Sequence, residues 1–268
     1  MDCHYRRREN LDIKYCYSIT DENLLLLLNF SPVVYNIIKE TIFKKLGGLI
    51  MKVGVLLAGC GVFDGAEIHE ATLTLYFLDK AGVEAVIMAP NIKQKDVINH
   101  LTGEPMNEER NVLVEAARIA RGNIKDINDV KAEDIDALIM PGGYGVAKNF
   151  SNFLEKGAEA DVIPEVKRLL VDMFKAGKPI GAICISPVIV AAALREAKPT
   201  VTIGTDIDVA KTIEDMGARH LACPVNEMVV DEENKIVTTP AYMLGKTIKD
   251  VAEGIEKLVN KVIELAKK

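Results

Sequence analysis

Apolar residues recur along this chain in two alternating periods. Short apolar runs at 52–58, 83–89, 136–140, 179–183 and 200–203 read as buried strands, and the pair 227–231 and 235–239 reads as a hairpin. Between them apolar positions fall at helical spacing over 66–81, 110–121, 164–176, 187–195, 207–216 and 246–267. The last stretch is the clearest, with Ile248, Val251, Ile255, Leu258, Val259, Val262 and Leu265 on one face and its lysines on the solvated one. Strands alternating with helices predict an α/β fold, a doubly wound and mostly parallel sheet. One added β-hairpin closes at Asp231-Glu232-Glu233-Asn234. No internal repeat or low-complexity linker interrupts residues 51–268, which read as one domain.

Residues 1–50 break the pattern. They carry Arg6-Arg7-Arg8 and the apolar run Leu24 to Leu28, but Asn29, Ser31, Pro32 and Asn36 interrupt it well short of the ~20 apolar residues of a membrane span. Asp21-Glu22-Asn23 stands immediately before the run and no small-residue cleavage site follows, which argues against a signal peptide. Leu46-Gly47-Gly48 lies just ahead of Met51, and codons for Leu-Gly-Gly can spell a purine-rich ribosome-binding sequence. The expected native start is therefore Met51, with residues 1–50 a disordered or non-native extension.

Composition narrows the class. With 49% hydrophobic and 27% charged residues and a net charge of -6, the chain can bury a full core and stay soluble. The acidic balance argues against a nucleic-acid partner, and no membrane partner is expected. The five cysteines, at 3, 16, 60, 184 and 223, show neither paired metal-ligand spacing nor a disulfide framework, so no metal is expected. A reduced, cytoplasmic location suits a working thiol.

The chemistry concentrates at Gly181-Ala182-Ile183-Cys184-Ile185-Ser186-Pro187, where an apolar strand joins a helix whose proline stands near its first turn. Cys184 sits on that turn as in a nucleophile elbow, pushed out of the sheet before helix N–H groups that favour a thiolate and receive an oxyanion, Ile185 first. The competing reading of such a cysteine is a small buried residue. A second strand runs into Pro141-Gly142-Gly143-Tyr144-Gly145, whose glycines allow close approach to a ligand and whose Gly143 N–H is a second oxyanion donor. Glu67 and Glu70 lie about one turn apart at the start of a helix, where an acidic residue is often only a dipole partner. Cys60, between Gly59 and Gly61, is either a resolving partner for Cys184 or a small residue in a tight turn, and Cys223, before Pro224, reads as structural.

Longer motifs extend this picture: Leu57-Ala58-Gly59-Cys60-Gly61-Val62-Phe63-Asp64-Gly65, Asp96-Val97-Ile98-Asn99-His100-Leu101-Thr102-Gly103-Glu104, Arg110-Asn111-Val112-Leu113, Thr202-Ile203-Gly204-Thr205-Asp206-Ile207-Asp208 and Val237-Thr238-Thr239-Pro240-Ala241-Tyr242-Met243. With the Pro-Gly-Gly loop and Cys184, they resemble the class I glutamine amidotransferase-like superfamily in its PfpI-like branch, and more closely the isoprenoid biosynthesis glyoxalase ElbB family. The resemblance implies a flavodoxin-like, amidotransferase-like fold. It also implies glyoxalase activity on small 2-oxoaldehydes such as glyoxal and methylglyoxal, with no glutathione, metal, nucleotide or other cofactor. By the same resemblance Cys184 is the nucleophile and Glu70 the glutamate that hydrogen-bonds it. Glu67, His69, Gly142, Cys60, His100 and Asn111 are candidate pocket residues, although His100, Arg110 and Asn111 have capping and surface charge as alternative roles.

One departure limits the chemistry. Amidotransferases and many PfpI-like proteins carry a histidine shortly after the strand following the elbow helix, and Val201-Thr202-Ile203-Gly204-Thr205 has none. Without that proton donor for leaving ammonia, glutamine hydrolysis is not expected. His69 and His220 are the possible substitutes. The expected function is thus conversion of a small aldehyde to a 2-hydroxy acid through a cysteine hemithioacetal, in a homodimer. The rival is a redox-sensing or stress-response protein using the same cysteine. The expected start is checked by the intact mass of the natively expressed protein, which should correspond to a chain beginning at Met51; a product beginning at Met1 would contradict it.

Overall fold

The computed structural model describes residues 50–268; the expectation for the first fifty, Ile50 apart, lies outside the described residues. The chain alternates as expected through β1 (Lys52–Leu56), α1 (Ile68–Lys80), β2 (Glu84–Ala89), α2 (Val112–Ile119), β3 (Lys125–Asp126) and β4 (Ala137–Met140). Two short helices follow, α3 (Tyr144–Asn149) and α4 (Phe153–Lys156), then α5 (Pro164–Lys175), β5 (Ile180–Ile183) and α6 (Pro187–Ala193). The last part holds β6 (Thr200–Val201), α7 (Ile207–Asp215), β7 (Arg219–His220), β8 (Val229–Asp231), β9 (Ile236–Thr239) and α8 (Ile248–Ala266).

Seven strands form one sheet in the order β3-β2-β1-β4-β5-β9-β8. Every pair in it is parallel except β8 with β9, the added hairpin. Side chains leave a strand to alternate faces, and that period divides the core in two. Val53 and Val55 of β1 and Ile139 of β4 meet the α1 and α8 side, while Leu56, Leu138 and Met140 meet the α5 and α6 side. The doubly wound α/β class is therefore as expected.

The run 200–203 departs from expectation. Only Thr200–Val201 is a strand, and it pairs with β7 in a separate parallel ribbon. Side chains take over the backbone groups that a ladder would use: Thr200 N–H donates to Asp231 Oδ2 (2.7 Å), Thr202 N–H to Thr238 Oγ1 (2.9 Å) and Gly204 N–H to Thr202 Oγ1 (3.0 Å). β3 and β7 are two-residue pairings too short to carry a hydrophobic period.

α8 closes one face. Thr247 and Asp250 form a capping box at its amino end, and Val251, Ile255, Leu258, Val259 and Val262 are all fully buried. Gly181 of β5 makes room for it, since a Cβ there would lie 3.0 Å from Leu258 Cδ2 and 3.1 Å from Val262 Cγ2. No described helix is long and apolar enough to cross a membrane.

The connection from β1 runs to β2 on one side, whereas β4 pairs on the other. That reversal opens a crevice at the carboxyl ends of β1 and β4, where ligands bind in sheets of this kind. Removing the Leu258 side chain leaves a cavity against β5, so Leu258→Ala should cost about 2–5 kcal/mol, read as a lower urea midpoint with an unchanged slope.

Candidate active site

Cys184 leaves β5 with φ at +63°, a left-handed conformation that costs a side-chain-bearing residue energy. The surroundings over-determine it. Its N–H donates to Thr239 O (2.9 Å), Ser186 N–H donates to Ile183 O (3.0 Å), and the buried Ser186 hydroxyl donates to Pro141 O (2.8 Å). The elbow is thus locked to β9 and to the Pro-Gly-Gly loop after β4. Backbone N–H groups of Gly143 and Ile185 are directed at the Cys184 sulfur, as oxyanion donors would be.

Glu70 reaches the same point from the first turn of α1. It is fully buried, with Oε2 accepting the Gly142 N–H (2.8 Å), Oε1 accepting the Tyr242 N–H (3.2 Å), and a hydrogen bond to Cys184. Glu67 is the N-cap of α1, and its Oε2 accepts the Glu70 N–H (2.8 Å). Close approach explains the glycine pair. A Cβ on Gly142 would fall 2.5 Å from Cys184 Cβ and 2.8 Å from Glu70 Oε2, and Gly143, at φ +100°, would clash with Gly65 O at 2.4 Å.

Burial, then the Glu67 carboxylate, pushes the Glu70 pKa up to about 8, so at neutral pH the carboxyl is mostly protonated. Burial, followed by the charge of Glu70, also raises the Cys184 thiol well above its ordinary value. The expectation that the elbow favours a thiolate is corrected here: desolvation outweighs the two N–H groups that favour the anion. The two side chains share a hydrogen bond and titrate as a unit.

A cavity of about 280 Å³ opens over Cys184, lined among others by Glu67, Gly143, Cys184, Ile185, Asp206 and Tyr242, while Glu70 lies behind the cysteine and outside the wall. His69 stands at its edge rather than in its wall, its Nδ1 lying 2.8 Å from the Tyr242 hydroxyl and 4.0 Å from Glu67 Oε1. Gly142 lies beneath the pair.

Three further expected pocket residues, Asn111, His100 and Cys60, also lie outside the cavity wall. Asn111 caps α2, accepting the Val114 N–H (3.1 Å) and donating to Asn91 Oδ1 (2.9 Å). His100 Nε2 accepts the Phe63 N–H (3.2 Å), and its ring stacks on Phe63, bracing the β1–α1 loop. Cys60 is acted on by Glu115, Arg118, Asp64 and Arg110, none of which lines the Cys184 cavity, and burial raises its thiol. Arg110 pairs with Glu108 (2.8 Å) and Glu115 (3.5 Å), a charge role rather than a pocket role. His220 Nε2 accepts the Ile203 N–H (3.3 Å) and lines a different surface hollow; burial lowers its pKa. Cys223 is buried, its thiol directed at Pro224 O (3.5 Å).

Two wall residues, Tyr242 and Asp206, were not singled out from the sequence. Both lie inside motifs that it displays, Pro240-Ala241-Tyr242-Met243 and Thr202 to Asp208, but a motif does not say which member faces a cavity. Tyr242 follows Ala241 at φ +42°, a second strained turn, after β9.

A doubly wound sheet with a cysteine elbow facing a buried glutamate defines a protein of the amidotransferase-like α/β class. The chain belongs to the DJ-1/PfpI family, whose model matches residues 55–244. It is 44% identical over 227 residues to the human glutamine amidotransferase-like class 1 domain-containing protein 3, mitochondrial, covering 81% of this chain and 84% of that protein. A solved isoprenoid biosynthesis protein with an amidotransferase-like domain from Ehrlichia chaffeensis superposes with a TM-score of 0.75 at 42% identity, over 80% of this chain and 99% of that one. The glyoxalase III of Candida albicans shares the fold alone, at 16% identity and a TM-score of 0.52 over 80% of this chain and 97% of that one. The resemblance read from the sequence is thereby established as family membership. The expected cytoplasmic location gains no support, since the human relative's name places it in mitochondria.

The buried carboxyl has a consequence for stability. Glu70 rises from 4.5 to about 8 on folding, so between those values the folded state holds the extra proton and stability falls as pH increases. Glu70→Gln cannot ionise and should lack that slope. Its melting temperature relative to wild type should climb from pH 5 to pH 8; parallel curves would show that Glu70 is not buried as a neutral acid.

Proposed function

We propose that this protein converts small 2-oxoaldehydes, such as glyoxal and methylglyoxal, to 2-hydroxy acids without glutathione or a cofactor, acting as a homodimer. The observation that carries this reading is a Cys184 that lines a cavity, is hydrogen-bonded to the buried Glu70 and faces N–H groups of Gly143 and Ile185, with no histidine among the described wall residues.

The ionised fraction of Glu70 takes the thiol proton, and the sulfur bonds to the aldehyde carbon while the C=O π pair moves onto oxygen. The N–H groups of Gly143 and Ile185 hold that oxyanion until Glu70 returns the proton, which gives a hemithioacetal and restores the carboxylate. Glu70 then removes the proton from the same carbon; the freed pair forms a C=C bond, the neighbouring carbonyl's π pair moves onto its oxygen, which takes the hydroxyl proton, and an enediolate results. Return of the proton to the second carbon leaves a 2-hydroxy thioester. Water cleaves it, releasing the acid and restoring the thiol. The balance is substrate plus one water, with oxidation and reduction internal to the substrate, so no electron acceptor enters.

Redox sensing needs an accessible, low-pKa thiol. Cys184 is buried against Glu70 and reached only through the cavity, which is less open than a sensor thiol requires. Glutamine hydrolysis lacks a histidine to protonate ammonia.

The test is lactate formation from methylglyoxal by the full chain without glutathione. Cys184→Ala should abolish it, and Glu70→Gln should lower kcat by about 10²-fold or more. Because the reaction starts from ionised Glu70, wild-type kcat should rise with pH and level off above about 8. Turnover no faster than background, or full turnover by Cys184→Ala, would reject the proposal.

A further inference from the structure

Among the described residues, the ionisable side chains lining the Cys184 cavity include two carboxylates, the buried Glu67 and the exposed Asp206, and no lysine, arginine or histidine. The neighbouring lysine, Lys148, is engaged elsewhere: its ammonium donates to Phe63 O (2.9 Å) and to Asp96 Oδ2 (2.9 Å). Glu67 is held in place by its cap to the Glu70 N–H (2.8 Å). Asp206 caps α7 with one oxygen only, Oδ1 accepting both the Asp208 N–H (3.1 Å) and the Val209 N–H (3.0 Å). Its Oδ2 has no hydrogen-bond partner among the described residues.

An anion entering this cavity passes the exposed Asp206 and is desolvated beside Glu67, with no lysine or arginine among the described wall residues to offset them, whereas a neutral compound meets no repulsion and a cation is attracted. Much of the remaining wall is apolar, made by Val62, Phe153, Leu154, Val209 and Met243, with Tyr144 and Tyr242 beside them. At about 280 Å³ the cavity approaches the ~300 Å³ lower end of ordinary small-molecule pockets, and a three-carbon dicarbonyl leaves most of that wall uncovered.

We propose that the site, while admitting glyoxal and methylglyoxal, prefers uncharged or cationic carbonyl compounds over anionic ones and those with an apolar substituent larger than methyl over smaller ones, and that Asp206 is the residue responsible for the charge selection. This deepens the glyoxalase reading and rests on it for the word substrate. The selectivity itself belongs to the cavity and is measurable without turnover.

The experiment labels Cys184 of the full chain at pH 8 with four methanethiosulfonates: the cationic trimethylammonioethyl, anionic sulfonatoethyl, neutral methyl and neutral benzyl reagents. Each transfers its thio group to the Cys184 thiolate as a mixed disulfide while sulfinate leaves. Rates are read at Cys184 by peptide mass spectrometry and divided by those for a free thiol. The cationic reagent should outpace the anionic one by about 10-fold or more at low salt, the ratio shrinking as salt rises, and benzyl should outpace methyl. Asp206→Asn, which keeps a capping side chain, should reduce the charge ratio several-fold. Asp208→Asn, which removes one charge from the same helix outside the cavity wall, should leave it nearly unchanged.

Equal normalised rates for the two charged reagents, equal effects of the two variants, or methyl outpacing benzyl would overturn the inference. Failure of every dicarbonyl to turn over would reject the proposed reaction while leaving these labelling ratios to stand or fall independently.

Discussion

The structure of the site depends on one buried carboxyl. Glu70 has no exposure, yet its two oxygens accept N–H groups from Gly142, after β4, and Tyr242, after β9, while the carboxyl also meets Cys184, after β5. One side chain from α1 therefore ties together the loops at the carboxyl ends of three neighbouring strands. Burying a carboxyl is tolerable because every oxygen is satisfied and because it becomes neutral, with a pKa of about 8.

Backbone strain and close approach follow from that arrangement. Cys184 at φ +63° and Ala241 at φ +42° are both non-glycine residues in left-handed conformations, and both stand where a strand ends against Glu70. Gly142 and Gly143 stand where any side chain would strike the cysteine, the glutamate or the β1–α1 loop. The parallel sheet supplies the rigid frame, and α8, buried along one face, holds β4, β5 and β9 in register. Chemistry and fold meet in the choice of residues that no other type can replace without moving a loop.

The elbow cysteine and the helix glutamate meet with no histidine among the described residues of the cavity wall, so the proposed reaction assigns proton transfer to Glu70. A carboxyl that titrates near 8 is suited to both taking and returning a proton close to neutrality, which a fully exposed glutamate is not. The cavity walls are acidic at Glu67 and Asp206 and largely apolar elsewhere. In these proposals reactivity and selectivity have separate origins, the first in a buried pair and the second in residues at the α1 and α7 amino ends.

Hydrophobic periodicity by itself determined the α/β class, the sheet strands β1, β2, β4 and β5, the β8–β9 hairpin and every helix longer than six residues, because burial of strand and helix faces is written in local spacing. The elbow at Cys184 and the glycine loop were legible for the same reason: proline, glycine and the end of an apolar run impose local backbone geometry. Local spacing left undecided what depends on contacts between distant segments. It did not separate β6 from the main sheet, which turns on the Thr238 and Asp231 side chains, nor assign His100 and Asn111 to loop bracing and capping. It also favoured a thiolate at Cys184, because a helix amino end is visible in sequence whereas complete burial beside Glu70 is not. Only tertiary structure decides desolvation, and desolvation sets the protonation of this site.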